Sequence, residues 1–307
     1  MTLVRFARLV LGYNLAVILW GAVVRATGSG AGCGSHWPLC DGQVVPRADE
    51  VETLIEYSHR VTSGLALLLV LALAIATFRS RPEGDPTRLG AVLSLVLILV
   101  EAAVGAGLVL FELVADNASM ARALFMAVHL VNTFLLLAAL GLTVRWAAGR
   151  PALAWRPGGP ARRLALLGLG ATILIGASGA VAALGDTLFP PETLGGALRD
   201  DLSPTAHLLV QLRIWHPLIA LLGSGLLWLA AARLPRLAPE PARAARWGRS
   251  LLVLVVVQLV VGAVNVALLA PVWLQVVHLL LADLLWLSLV WLAAEALARP
   301  GGRPRTA

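Results

Sequence analysis

The 307-residue chain has no lysine, two cysteines, two tyrosines and three methionines, and only 13% of its residues are charged. Soluble domains carry about 25% charged residues, so this scarcity excludes one. The lone C-x6-C pair, Cys33 and Cys40, offers a zinc ion only two ligands at an uncommon spacing, and there is no C-x-x-C motif. The strict alternation of a membrane β-barrel is missing as well.

What is present is apolar sequence, 59% hydrophobic residues in recurring runs. Eight stretches of roughly 20 residues can each cross a hydrocarbon core of about 30 Å. They lie at about 6–27, 55–78, 88–111, 120–145, 162–184, 208–232, 248–269 and 272–296. Backbone in lipid must satisfy its own hydrogen bonds, so each span is expected to be a helix. The first has Arg5 and Arg8 ahead of it and no clear small-residue cleavage site, which reads as a retained helix and not a signal peptide. The expected fold is an all-α polytopic membrane protein of eight transmembrane helices, arranged as two pseudo-symmetric four-helix bundles.

Without lysine, orientation rests on arginine. Most of the 24 arginines fall at the N-terminus, in the loops after even-numbered spans and in the tail. The positive-inside rule makes that side, with both termini, cytoplasmic. Acidic residues such as Asp41, Glu52, Glu112, Asp186 and Asp201 collect on the other side. The net charge of +7 therefore reflects topology and contact with membrane lipid, and no nucleic acid is implied. In a bacterial plasma membrane the outer side is oxidising, which favours a Cys33–Cys40 disulfide, structural or redox-active. The uniformly apolar faces leave a homo-oligomer open.

Val104-Gly105-Ala106 recurs as Val261-Gly262-Ala263, and Val128-His129-Leu130 as Val277-His278-Leu279. Ile18-Leu19-Trp20-Gly21-Ala22 resembles Leu174-Ile175-Gly176-Ala177. These echoes divide the chain into an N-terminal four-helix unit, 1–147, a linker rich in Gly and Pro, 148–160, a C-terminal four-helix unit, 161–299, and a basic tail, 300–307. Two long outer loops, about 28–54 and 185–207, are candidate covers.

Four of the six histidines, His59, His129, His216 and His278, lie inside the spans, one pair per unit. An ionisable residue in a span costs about 2.5–3.5 kcal/mol and is a functional-site hypothesis by default. At about 1.5 Å per residue all four fall in the outer third of the bilayer. Two pairs on facing helices are what two bis-imidazole haem sites need. His36 and His207 read as surface residues. Three residues before His59 stands Glu56, whose carboxylate can act as a general base or steady a developing cation, or can simply pair with Arg60. Three residues before His216 stands Arg213 instead, which suits a haem propionate. Hence the first unit is expected to do chemistry and the second to hold a cofactor. Glu101, Asn132, Gln258, Asn265, Gln275 and Asp283 read as partners in interhelical hydrogen bonds.

The run Gly21 to Cys33, then Trp37-Pro38-Leu39-Cys40, resembles the first-loop signature of the haem A synthase family, and Glu56-Tyr57-Ser58-His59-Arg60 matches its E-x-x-H-R motif. The resemblance implies an oxidoreductase acting on CH groups, which converts haem O to haem A by two hydroxylations of the C8 methyl group followed by dehydration to a formyl group. It implies substrate haem O between His59 and His129, resident haem b between His216 and His278, Glu56 as catalytic residue and a Cys33–Cys40 disulfide. Arg60 and Arg213 become candidates for propionate contacts or for support behind the ligands. It also implies haem O synthase (protohaem farnesyltransferase) as partner and cytochrome oxidase assembly as pathway. The second cysteine pair of many bacterial members is missing from 185–207. From the histidine pairs alone, a di-haem b-type quinol electron-transfer subunit is the alternative; a two-repeat transporter would want paired helix interruptions, and none is visible.

Overall fold

The fold is that of a computed structural model, described for residues 1–47, 50–154 and 159–299. Positions 155–158 of the expected linker and the whole expected basic tail, 300–307, lie outside the described residues. The helices are α1 Leu3–Ala26, α2 Val51–Ser80, α3 Pro86–Leu110, α4 Met120–Ala147, α5 Pro160–Leu188, α6 Leu194–Leu202, α7 Leu208–Leu212, α8 Trp215–Leu237, α9 Pro241–Ala267 and α10 Val272–Ala296. All eight expected spans are there, with α7 and α8 together forming the sixth, so the chain is a multi-pass helical membrane protein.

Local chemistry explains several boundaries. Thr2, Asp85 and Ser119 are N-caps whose side chains accept from the backbone N–H of Arg5, Thr87 and Arg122. Pro86, Pro160 and Pro241 open their helices, where a missing N–H costs nothing. The sixth span, expected to be continuous, is interrupted between Leu212 and Trp215. Pro217 lies in the first turn of α8, so its missing N–H falls where helical partners are already lacking. Helix α6 lies in the second long loop, 185–207; Thr193 caps it through Gly196 N–H.

Helices α1 to α4 form one closed set, α1 on α2, α2 on α3, α3 on α4 and α4 back on α1. Helices α5, α8, α9 and α10 close in the same manner. The two sets meet mainly along α4 with α5 and α10. There the Phe134 ring stacks on Trp286 with centroids 5.1 Å apart, and Trp291 Nε1–H donates to the Gly141 carbonyl at 3.0 Å. Deeper along the same seam, Arg145 pairs with Glu295 at 3.4 Å, both buried. The described part of the linker is pinned to the end of α10, Ala154 N–H donating to Leu297 O and Arg299 N–H to Ala152 O. Elsewhere the helices present apolar side chains outward, Leu68, Leu222 and Val253 among them, as a lipid-facing surface requires.

Candidate functional site

The first two turns of α2 are bolted to the loop before them. Glu56 is buried, and one carboxylate oxygen accepts from the Cys33 backbone N–H at 2.8 Å. The other accepts from Arg60 Nε–H at 3.1 Å. Arg60 then directs its remaining fork to the carbonyls of His36 and Leu39, both at 2.6 Å. Thr53 Oγ1–H donates to Gly32 O at 2.7 Å. Only glycine fits at position 32, because a Cβ there would lie 2.5 Å from the Glu52 backbone. The loop itself is closed by the Cys33–Cys40 disulfide, both cysteines fully buried. Among the described residues there is no cluster of three or more His, Cys, Asp or Glu arranged to hold a metal ion.

Arg213 plays the corresponding part for the other long loop. Its guanidinium takes Asp201 at 2.8 Å, Asp186 at 3.4 Å and the Phe189 carbonyl at 3.1 Å. Glu56 and Arg213, each three residues before a histidine, are thus both loop anchors here. Arg60 and Arg213 reach loop carbonyls and carboxylates, which fixes both guanidinium groups at the loop ends of their helices. His36 is exposed, and exposed His207 caps α7 and stacks on Phe189, as surface residues do.

The four intramembrane histidines are half-buried, and each faces a glycine on a neighbouring helix. A Cβ added at Gly21 of α1 would stand 3.0 Å from the His59 ring, at Gly105 of α3 3.7 Å from His129, at Gly179 of α5 2.9 Å from His216, and at Gly262 of α9 3.1 Å from His278. The partner of His216 is therefore Gly179; Gly176, the residue matched to Gly21 from sequence, packs on Phe134 and Leu130 of α4. A better register was legible, since Gly21-Ala22-Val23 recurs as Gly179-Ala180-Val181.

The imidazoles differ in what supports them. His129 Nδ1 lies 2.9 Å from Glu101 Oε1. Glu101 also accepts from Thr133 Oγ1–H and from Asn132 Nδ2–H. Ser178 donates its one hydroxyl hydrogen to the Ile175 carbonyl, so its oxygen, 3.1 Å from His216 Nδ1, accepts the ring N–H. In that tautomer His216 Nε2 carries no proton. Gln258 Nε2 lies 3.2 Å from His278 Nε2 and donates to the His278 carbonyl. His59 Nδ1 and His278 Nδ1 are buried without a hydrogen-bond partner among the described residues. The His216 and His278 rings are perpendicular with centroids 6.4 Å apart. Two imidazoles on opposite sides of one metal, with bonds of about 2 Å, would place their centroids at about that separation. Glycines beside the rings, the orphaned ring nitrogens and, for His216 and His278, this spacing fit imidazoles that would hold a flat macrocycle.

Sequence reading undervalues two residues. Glu101 is one polar residue in an apolar span; the cue is its position four before Gly105, where Gln258 stands four before Gly262. Arg25 reads in the sequence as a flanking charge. It crosses from α1 to Ala183 O and Thr187 Oγ1 of α5 and to Gln275 Oε1 of α10, each at 2.8 Å.

The sequence pattern of COX15-CtaA, cytochrome oxidase assembly protein, matches residues 4–290. A "Protoheme IX farnesyltransferase" of Thermus thermophilus is 50% identical over 290 residues, which cover 94% of this chain and 48% of that protein. The chain thus spans about half the length of this relative. A "Heme A synthase" of Exiguobacterium sp. is 44% identical over 102 residues, 33% of this chain and 34% of that protein, and one of Shouchella clausii is 45% identical over 97 residues, 32% of each.

Proposed function

The chain belongs to the COX15-CtaA family of cytochrome oxidase assembly proteins, and from that premise we propose that it is a haem A synthase, oxidising the C8 methyl group of haem O to a formyl group. The observation that carries this reading is the set of four glycine-faced histidines, two in each closed set of helices, with a buried carboxylate one turn from the first. The order of steps is methyl to hydroxymethyl, hydroxymethyl to gem-diol, and loss of water to the aldehyde.

In this reading residues 1–147 form the substrate unit. His59 and His129 would hold haem O, and Gly21 leaves room for the His59 ring. Glu56, held by Cys33 N–H and Arg60, presents a carboxylate oxygen that can take a proton or steady positive charge as the methyl carbon is oxidised. Residues 161–299 form the second unit, where His216 and His278 would hold haem b. When bound, haem b supplies one-electron transfer. Ser178 sets the tautomer of His216, and Arg213 closes the second long loop over that end through Asp186 and Asp201. The arginine distribution supports a topology with both termini in the cytoplasm and the histidines toward the outer face.

A haem O-forming farnesyltransferase is the partner that must supply the substrate. The name of the Thermus relative, of which this chain matches 48%, supports that pairing.

The test is expression in a host that makes haem O, followed by pigment extraction. Hydroxylated and formyl haems are expected. Bound haem b with neither product would refute the synthase and favour a di-haem electron-transfer subunit.

A further inference from the structure

Among the described residues, Glu101 is the one acidic side chain within contact of an intramembrane histidine ring, and it comes from a different helix. It reaches from α3 to three neighbouring residues of α4, His129, Asn132 and Thr133. This fixes the ring in two ways. The carboxylate takes Nδ1–H, which leaves Nε2 as the free nitrogen, and the two further bonds prevent the carboxylate from turning away. Metal-binding histidines almost always donate the other ring N–H to such a group, which orients the ring and raises its basicity.

The other helix set lacks this arrangement. Four residues before Gly262, where Glu101 precedes Gly105, stands Gln258. Its neutral amide lies 3.2 Å from Nε2 of His278, and Nδ1 of that ring is buried without a hydrogen-bond partner among the described residues. Where α4 has Asn132 and Thr133, three and four residues after its histidine, α10 has Leu281 and Ala282. The two positions therefore differ: a carboxylate holds Nδ1 of His129, while Nδ1 of His278 has no such group and only a neutral amide touches that ring.

Resting on the reading that both sites take haem, we propose that Glu101 is a positioning residue which sets the tautomer and donor strength of His129, so that iron held in the α1–α4 set is more electron-rich than iron held in the α5–α10 set. The chain would thereby encode an order of reduction potentials, with the α1–α4 haem the harder one to reduce.

The experiment is a potentiometric titration of purified protein loaded with haem O and haem b, followed by absorbance and by the low-spin ferric resonance. Two one-electron steps are expected. Glu101→Gln should raise one of them by on the order of 59 mV, a tenfold change in that equilibrium, and weaken haem O affinity by about tenfold. Glu101→Asp should restore both. The reciprocal Gln258→Glu should lower the other step and leave the first in place. Unchanged steps in loaded Glu101→Gln protein, or both variants moving the same step, would overturn the inference while leaving the functional reading intact. Wild-type protein that takes up no haem at His59 and His129 would instead defeat the functional reading. If Glu101→Gln does not accumulate, Gln258→Glu decides alone: a step that fails to fall refutes the proposal.

Discussion

The four glycines facing the histidines make a graded series that alanine can read. A helix-interior glycine replaced by alanine gains about 1 kcal/mol of helix propensity. Against that stands the new methyl group. At Gly105 it would lie 3.7 Å from His129, an ordinary contact, so Gly105→Ala should stabilise the protein by about 1 kcal/mol with haem content unchanged. At Gly179 it would lie 2.9 Å from His216 Cε1 and 3.3 and 3.4 Å from the two ring nitrogens. The ring must move as a unit, and it is tethered by Ser178. Overpacking of this kind costs about 1–3 kcal/mol, which cancels or exceeds the propensity gain. Displacing a ligand by a few tenths of an ångström should lower haem occupancy by about tenfold, the scale of lost ligand support. Gly21→Ala and Gly262→Ala, at 3.0 and 3.1 Å, should fall between. The assay is haem per polypeptide after purification, with thermal unfolding in detergent. The order expected is Gly105→Ala above Gly262→Ala and Gly21→Ala, with Gly179→Ala lowest. Haem loss in Gly105→Ala equal to that in Gly179→Ala would refute the idea that these glycines make room for ligand rings.

Three further outcomes follow from named contacts. Glu56→Gln keeps the shape of the loop anchor and should retain bound haem while losing hydroxylated and formyl products; unchanged turnover would remove Glu56 from the chemistry. His216→Ala should strip the haem b spectrum and spare haem O binding by His59 and His129; retention of that spectrum would mean the two units are assigned the wrong way round. Glu295→Gln leaves the buried Arg145 guanidinium without its charge partner, and breaking such a pair costs about 3–5 kcal/mol. Its melting temperature should fall well below that of Arg145→Met/Glu295→Leu, and equal melting would show that the pair is not what closes the seam.

Much of this was legible because a bilayer imposes a length on every span. Each of the eight apolar runs became one helix, or a pair in line, with ends moved by a few residues. The four histidines and the disulfide were legible because polar groups stand out in apolar sequence. What escaped were features set by packing between distant segments. The break before Trp215 needs the α6–α7 region for its context, and nothing in the run 208–232 marks it except Pro217. The choice of Gly179 over Gly176 depends on which face of α5 turns to α8 and which to α4. The loop contacts of Arg60 and Arg213 escaped too, because their acceptors lie in segments whose path the sequence does not show. Asp283, expected to join an interhelical hydrogen bond, is fully buried with both oxygens unpartnered among the described residues.

The α4–α10 seam has a consequence for biogenesis. It joins residues about 150 positions apart, Arg145 to Glu295 and Phe134 to Trp286. Contacts of such sequence separation form late, because a long stretch of chain must be ordered before they offset its entropy. During synthesis α4 enters the bilayer with the face that meets α10 still bare, and it stays so until the last helix arrives. The ribosome thus delivers the histidines of the first set well before the seam that joins the two sets exists. Haem loading is therefore expected to follow completion of the chain, which would keep a reactive macrocycle out of a half-built protein.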